Sequence, residues 1–230
     1  PGLLAQFVGQ SRALMKDPWS RRVIAFAGIE GFLLFGAMAL VPSFVQTAHQ
    51  FSPTLAGLSA ALFGLGGLLY ASNTRRLLDR LGPGGLAIAG GWLFAMAMAV
   101  NWLTDPWIWG SPAGSTVDST TGLQVGGSAR GWQDSLVFVT PFVAGLGYYM
   151  LHNTLQVQAS QLTGTGRGVT FSWFASSLWV GQGLGITAAA LLAGRAGFLP
   201  VFIIAGVGIV ALAAVFALGV RARSGQREDD

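Results

Sequence analysis

The chain has 230 residues, of which 52% are hydrophobic and 10% charged, with a mean hydropathy of +0.58 and a formal net charge of +4. A soluble domain of this size has too little interior to hide that much apolar surface, so composition alone places the chain in a membrane. No basic patch is interleaved with aromatic residues, which turns the positive charge toward anionic lipid rather than nucleic acid, and the absence of cysteine excludes disulfides, thiol nucleophiles and thiolate metal sites.

The chain opens at Pro1 on a basic segment, and the apolar run that follows is too long for a signal-peptide core. Residues 1–22 therefore read as a cytoplasmic lead-in, and Pro1 as a cut end. A helix crosses roughly 30 Å of hydrocarbon with about 20 apolar residues. Six stretches qualify: Val23–Val45, Leu55–Thr74, Gly84–Leu103, Leu136–Gln156, Val169–Ala193 and Phe198–Val220. Between the third and fourth, residues 104–134 are rich in Gly, Ser and Thr and read as an external loop, and residues 221–230 form a cytoplasmic tail.

Sorting the basic residues fixes the expected orientation, because short cytoplasmic loops hold most of them. Arg12, Lys16, Arg21 and Arg22 precede the first span; Arg75, Arg76 and Arg80 follow the second; Arg167 follows the fourth; Arg221, Arg223 and Arg227 follow the sixth. Arg130 and Arg195 alone fall on the other side, so both termini are expected in the cytoplasm. Trp102, Trp107, Trp109 and Trp132 gather around the external loop, where an interfacial belt belongs.

The ends of the second and fifth spans share a pattern. Leu77-Leu78-Asp79-Arg80-Leu81-Gly82 closes one and Leu191-Leu192-Ala193-Gly194-Arg195-Ala196-Gly197 closes the other. Spans one to three and four to six then form two three-helix units of opposite membrane orientation.

At these residues the sequence resembles the major facilitator superfamily, specifically the C-terminal six helices of bacterial drug and sugar efflux members. The carriers of the likeness are Asp17-Pro18-Trp19, Leu62-Phe63-Gly64-Leu65-Gly66-Gly67-Leu68, Asp79-Arg80-Leu81-Gly82, the run from Gly147 to Gln156, Arg167-Gly168, Ser176-Ser177-Leu178 and Gly181-Gln182-Gly183. Asp79, Arg80 and Gly82 match the family's loop signature, while Arg75 stands where its leading Gly falls and Pro83 where a basic residue follows. The resemblance implies an all-α integral membrane fold, half of a twelve-helix transporter made of two inverted three-helix repeats. It implies that the first and fourth spans line a central cavity, the second and fifth face a missing N-terminal half, and the third and sixth face lipid. A bacterial inner membrane is the implied location. Arg75, Arg76, Asp79, Arg80 and Gly82 are then candidates for a cytoplasmic gate against that half, although a positive-inside cluster also accounts for the arginines.

Glu30 is the sharpest chemical clue, because an ionisable side chain within hydrocarbon costs a few kcal/mol or more and so faces a cavity or a partner. His152 lies at a comparable depth in the fourth span. Glu30 is expected to be a proton-coupling acid and His152 its partner or a substrate contact. Tyr148, His152 and Gln156 recur every fourth residue, with Tyr149 and Asn153 one position behind, and read as one polar stripe for an amphipathic or cationic solute. Gln182 is a further cavity candidate, with Ser176 and Ser177 beside it. The alternative for all of these is packing between sister helices. The Gly runs Gly64, Gly66, Gly67 and Gly181, Gly183, Gly185 are read as helix-packing positions, since a phosphate-binding loop needs a strand that a hydrocarbon span excludes. No metal, cofactor or enzyme arrangement is expected. The leading function is export of a small amphipathic or sugar-like solute against protons; the alternative is a non-transporting assembly or sensing subunit that keeps the fold.

Overall fold

The computed structural model describes residues 2–104, 116–117, 124–125, 131–162 and 166–228. It is all-helical apart from a minimal antiparallel ladder, β1 (Thr116–Val117) with β2 (Gln124–Val125). Trp107, Trp109 and Arg130 lie outside the described residues, as do the side chains of Trp132, Arg167 and Arg227.

The lead-in is helical. α1 (Leu3–Lys16) stops at Asp17, which caps α2 (Pro18–Glu30), so the first span begins at Pro18, within the expected 1–22 segment. The Asp17 carboxylate accepts from the Ser20 amide at 2.9 Å, the Ser20 hydroxyl at 2.5 Å and the Trp19 amide at 3.4 Å. Pro18 occupies a position where a missing N–H leaves no bond unmade. Partial burial works to raise the Asp17 pKa, but the Ser20 and Trp19 hydrogen bonds and the Arg223 charge outweigh it and hold the group below its ordinary 3.8. A carboxylate depressed in this way stabilises the fold above its unfolded pKa, and that contribution is lost as pH falls through the folded one. Asp17→Ala is expected to cost about 1 kcal/mol near neutral pH and to shrink the loss of stability seen on acidification below about pH 4. Thermal unfolding in micelles across that range measures both, and an unaltered acid limb would remove Asp17 from the account.

Beyond Glu30 the helix widens into a π-turn over Gly31–Phe35, and α3 (Gly36–Met38) and α4 (Val41–Ala48) complete the span. Pro42 accounts for the break at 39–40: it has no N–H to give, and the Leu40 amide tightens onto the Ala37 carbonyl at 3.0 Å. α5 (Pro53–Leu103) would run about 75 Å if straight, yet it reverses at Gly82, whose φ of 64° and ψ of 172° suit a residue without Cβ. Pro83 then starts the second arm. α6 (Gly131–Ser160) begins inside the expected external loop; α7 (Arg167–Ala196) and α8 (Leu199–Glu228) follow, and α8 extends through most of the expected tail. Among the described residues five continuous helical stretches are long and apolar enough to cross a membrane, and the reversal inside α5 divides its stretch into two arms, giving six segments of spanning length.

Side-chain contacts give the direction of every crossing. Phe51 meets Phe138, Phe63 meets Tyr148, and Tyr70 and Thr74 share a cleft with Asn153 and Gln156, so the first arm of α5 runs parallel to α6. The second arm runs antiparallel to it, with Leu86 near that same cleft, Gly90 against Gly147, and Asn101 Oδ1 accepting from the Thr140 hydroxyl at 2.6 Å. The first span runs parallel to α7, where Gly28 meets Ser177 and Gly36 meets Gly185. It runs antiparallel to α8, where Trp19 stacks on Phe216 and Phe44 packs on Phe198 and Phe202.

Small residues set these crossings, as expected where lipid tails compete with every apolar contact and close approach decides. A Cβ on Gly181 would strike the Gly28 carbonyl, and one on Gly31 the Leu178 carbonyl. The crossing of α5 with α6 has the same form: Gly66 meets the Phe142 carbonyl and Gly145 the Phe63 carbonyl. Residues 28 and 31 thus correspond to 142 and 145, and 63 and 66 to 178 and 181. Gly197, with φ of 77° and ψ of −177°, repeats the Gly82 conformation at the end of α7. Of the glycines expected to pack, Gly66, Gly67, Gly181 and Gly185 do so, whereas a Cβ on Gly64 or Gly183 would meet nothing within 4 Å. Those two are corrected to positions open on the surface of this chain.

Candidate functional site: a buried carboxylate and imidazole

Glu30 closes α2 about 18 Å along the helix from Pro18, deep in the first span. Gly31 follows it and presses on the Leu178 carbonyl with no side chain between, which brings α2 and α7 together at this level. The π-turn then inserts its extra residue directly beyond the carboxylate, a feature common where a helix serves a function. From the opposite side α6 presents His152, and its Nδ1 lies 2.8 Å from Glu30 Oε2. Glu30 is 0% exposed and His152 6%, so the two groups expected to approach each other are in contact inside the bundle.

Aromatic rings enclose the pair. Tyr148, one turn before His152, stacks on the imidazole with ring centres 4.8 Å apart and planes 23° apart. Phe174 of α7 lies 5.8 Å from the imidazole on another side. Phe35, at the end of the π-turn, meets Tyr148 edge-on at 5.4 Å, and Phe63 of α5 lies 5.5 Å from it. Four crossings therefore contribute to one site. Phe35, Phe63 and Phe174 carry no signal in the sequence, because an aromatic residue within an apolar span looks alike whether it faces lipid or a buried ion.

His152 Nδ1 and Glu30 Oε2 are within hydrogen-bonding distance, and which of the two donates depends on the tautomer of the imidazole. Glu30 Oε1 is buried and has no hydrogen-bond partner among the described residues. An unpaired buried acceptor is costly, which makes Oε1 the open hydrogen-bonding position of the pair. Among the described residues no group of three or more His, Cys, Asp or Glu side chains gathers around a common point.

The single polar stripe expected on α6 is corrected to two faces. A spacing of four residues advances about 40° around a helix at each step, so Gln156 has turned well away from Tyr148. Tyr148 and His152 point to Glu30, while Tyr149 packs on Gly67, and Asn153 and Gln156 line a separate cleft of about 360 Å³ with Tyr70 and Thr74. Gln182 lies on α7 beside Gly31, with its Oε1 buried and unpartnered among the described residues. Ser177 donates to the Ile24 carbonyl at 2.8 Å and ties α7 to α2, and Ser176 is exposed. Arg75, Arg76, Asp79 and Arg80 are exposed at the end of the first α5 arm and form no ion pair among the described residues; Gly82 makes the reversal.

No protein-family model, curated protein or solved structure matches the chain.

Proposed function

We propose that this chain is the C-terminal six-helix half of a proton-coupled secondary transporter of major-facilitator type, exporting a small amphipathic or sugar-like solute across a bacterial plasma membrane. In this reading both ends are cytoplasmic, and a second six-helix half completes the transport path by rocking against this one.

The observation that carries the reading is Glu30, buried at mid-span, bonded to His152 through one oxygen and without a partner at the other among the described residues. Such a group accepts and releases a proton as its surroundings alternate, which is what coupling requires. The register correspondences support two inverted three-helix units, with residues 28, 31, 63 and 66 matched by 142, 145, 178 and 181 in equivalent crossings of opposite direction. By the same register the counterparts of Glu30 and His152 are Ala144 and Met38. The repeat therefore packs without ionisable groups at these positions, and the acid and base are an addition to it.

The test uses proteoliposomes of the intact native gene product, loaded with a pH-sensitive dye and challenged with a panel of amphipathic cations and neutral sugars. The expected result is a solute-evoked proton flux that Glu30→Gln abolishes. Flux that survives this substitution in full would end the coupling role, and a wild-type protein silent to the whole panel would favour the assembly or sensing subunit.

A further inference from the structure

The first arm of α5 carries, over its last three turns, a cleft of about 470 Å³ lined by Leu69, Asn73, Arg76, Leu77, Arg80 and Leu146. Residues 69, 73, 76 and 80 share one helix face by their spacing of four, three and four. Asn73 turns its amide nitrogen back to the Leu69 carbonyl at 3.0 Å, which leaves two guanidinium groups as the donors at the mouth. Arg76 and Arg80 stand one turn apart as like charges, and neither forms an ion pair among the described residues. Asp79 falls off this face. Apart from Asn73 the rest of the wall is apolar: Leu77 at the level of the arginines, half-buried against Tyr70, Leu86 and Met150, and Leu69 and Leu146 deeper toward mid-span, with Leu69 exposed.

A cationic mouth over an apolar trough is complementary to an amphiphile with an anionic head. Its position agrees: Arg80 is two residues from the reversal at Gly82, at the bundle end that also holds Lys16, Arg21, Arg22 and Arg223. In a spanning bundle that is the level of lipid headgroups. Two guanidinium forks one turn apart match the oxygens of a phosphodiester better than a single carboxylate does. We propose that this cleft binds one anionic phospholipid, its phosphodiester held by Arg76 and Arg80 and an acyl chain laid along Leu69, Leu77 and Leu146. The proposal depends on the membrane-spanning fold and not on transport.

The test is native mass spectrometry of the full chain released from micelles, titrated in turn with phosphatidylglycerol, phosphatidylcholine and inorganic phosphate. The expected result is one retained phosphatidylglycerol, bound roughly tenfold or more tighter than phosphatidylcholine, the scale expected of two arginines at an anionic headgroup. The double substitution R76Q/R80Q removes that preference, R76K/R80K keeps part of it, and R22Q, which deletes a charge at the same end of the bundle, leaves it intact. Circular dichroism checks that each variant is folded. Equal losses in R22Q and R76Q/R80Q would reduce the effect to a diffuse surface potential and overturn the site. Displacement of the lipid by millimolar phosphate would make it a free-anion site instead. Retention undiminished in R76Q/R80Q would assign the cleft to another occupant, such as an acidic segment of a partner half.

Discussion

Replacing His152 by leucine is expected to destabilise the bundle by about 1 to 3 kcal/mol, the scale of leaving a buried polar group without its hydrogen-bond partner. Leucine fills similar space and keeps an apolar contact with the Tyr148 and Phe174 rings, so the loss is chiefly that of a partner for Glu30 Oε2. The conservative change on the other side behaves differently. Glu30→Gln preserves shape and a hydrogen bond to the Nδ1 atom while removing the ionisable group, and is expected to cost no more than about 1 kcal/mol. In the Glu30→Gln background the His152→Leu change then costs much less than it does alone, because no carboxylate remains to be stranded. A double-mutant cycle on the midpoint of denaturant unfolding in micelles reads this as a coupling energy of at least about 1 kcal/mol. Additive costs would mean that the 2.8 Å contact is incidental to stability.

The contrast between those substitutions also explains what the sequence made legible. Glu30 and His152 stood out because ionisable groups are rare in apolar spans, and counting rise per residue placed them at matching depth; that needs no knowledge of neighbours. The break between the second and third spans was legible from the gap in hydropathy between Thr74 and Gly84, and the reversal at Gly82 falls inside it. The π-turn was not, because a widened turn over Gly31–Phe35 depends on how Gly31 docks against Leu178, and that lies more than a hundred residues away. The α6 stripe was misread because period four approximates 3.6 closely over one turn and poorly over two, so Gln156 left the face that Tyr148 and His152 share. Asp17-Pro18 is a strong start signal that hydropathy alone passes over, so the helix that holds the first span begins at Pro18, before Val23.

The glycines test how far such reasoning reaches, because their chemistry is identical and only the partner helix separates them. Gly181→Ala is expected to destabilise by about 1 to 3 kcal/mol: the new methyl meets the Gly28 carbonyl, and helix backbones in contact have no side chain to move aside. Gly183→Ala, two residues on, meets nothing within 4 Å and gains helix propensity, so it is expected to stabilise by up to about 1 kcal/mol. Gly66→Ala and Gly64→Ala repeat the pair of outcomes at the other crossing, through the Phe142 carbonyl and open space. The opposite signs matter more than the sizes, since a general sensitivity of glycine-rich helices would move all four variants the same way. Melting temperatures of the four variants in one detergent decide it. Equal shifts within each crossing would mean that α7 and α5 do not meet their neighbours at Gly181 and Gly66. Should Gly183→Ala and Gly64→Ala instead prove harmless in this chain and damaging to proton flux in the native gene product, those two open faces would be where the half proposed above closes.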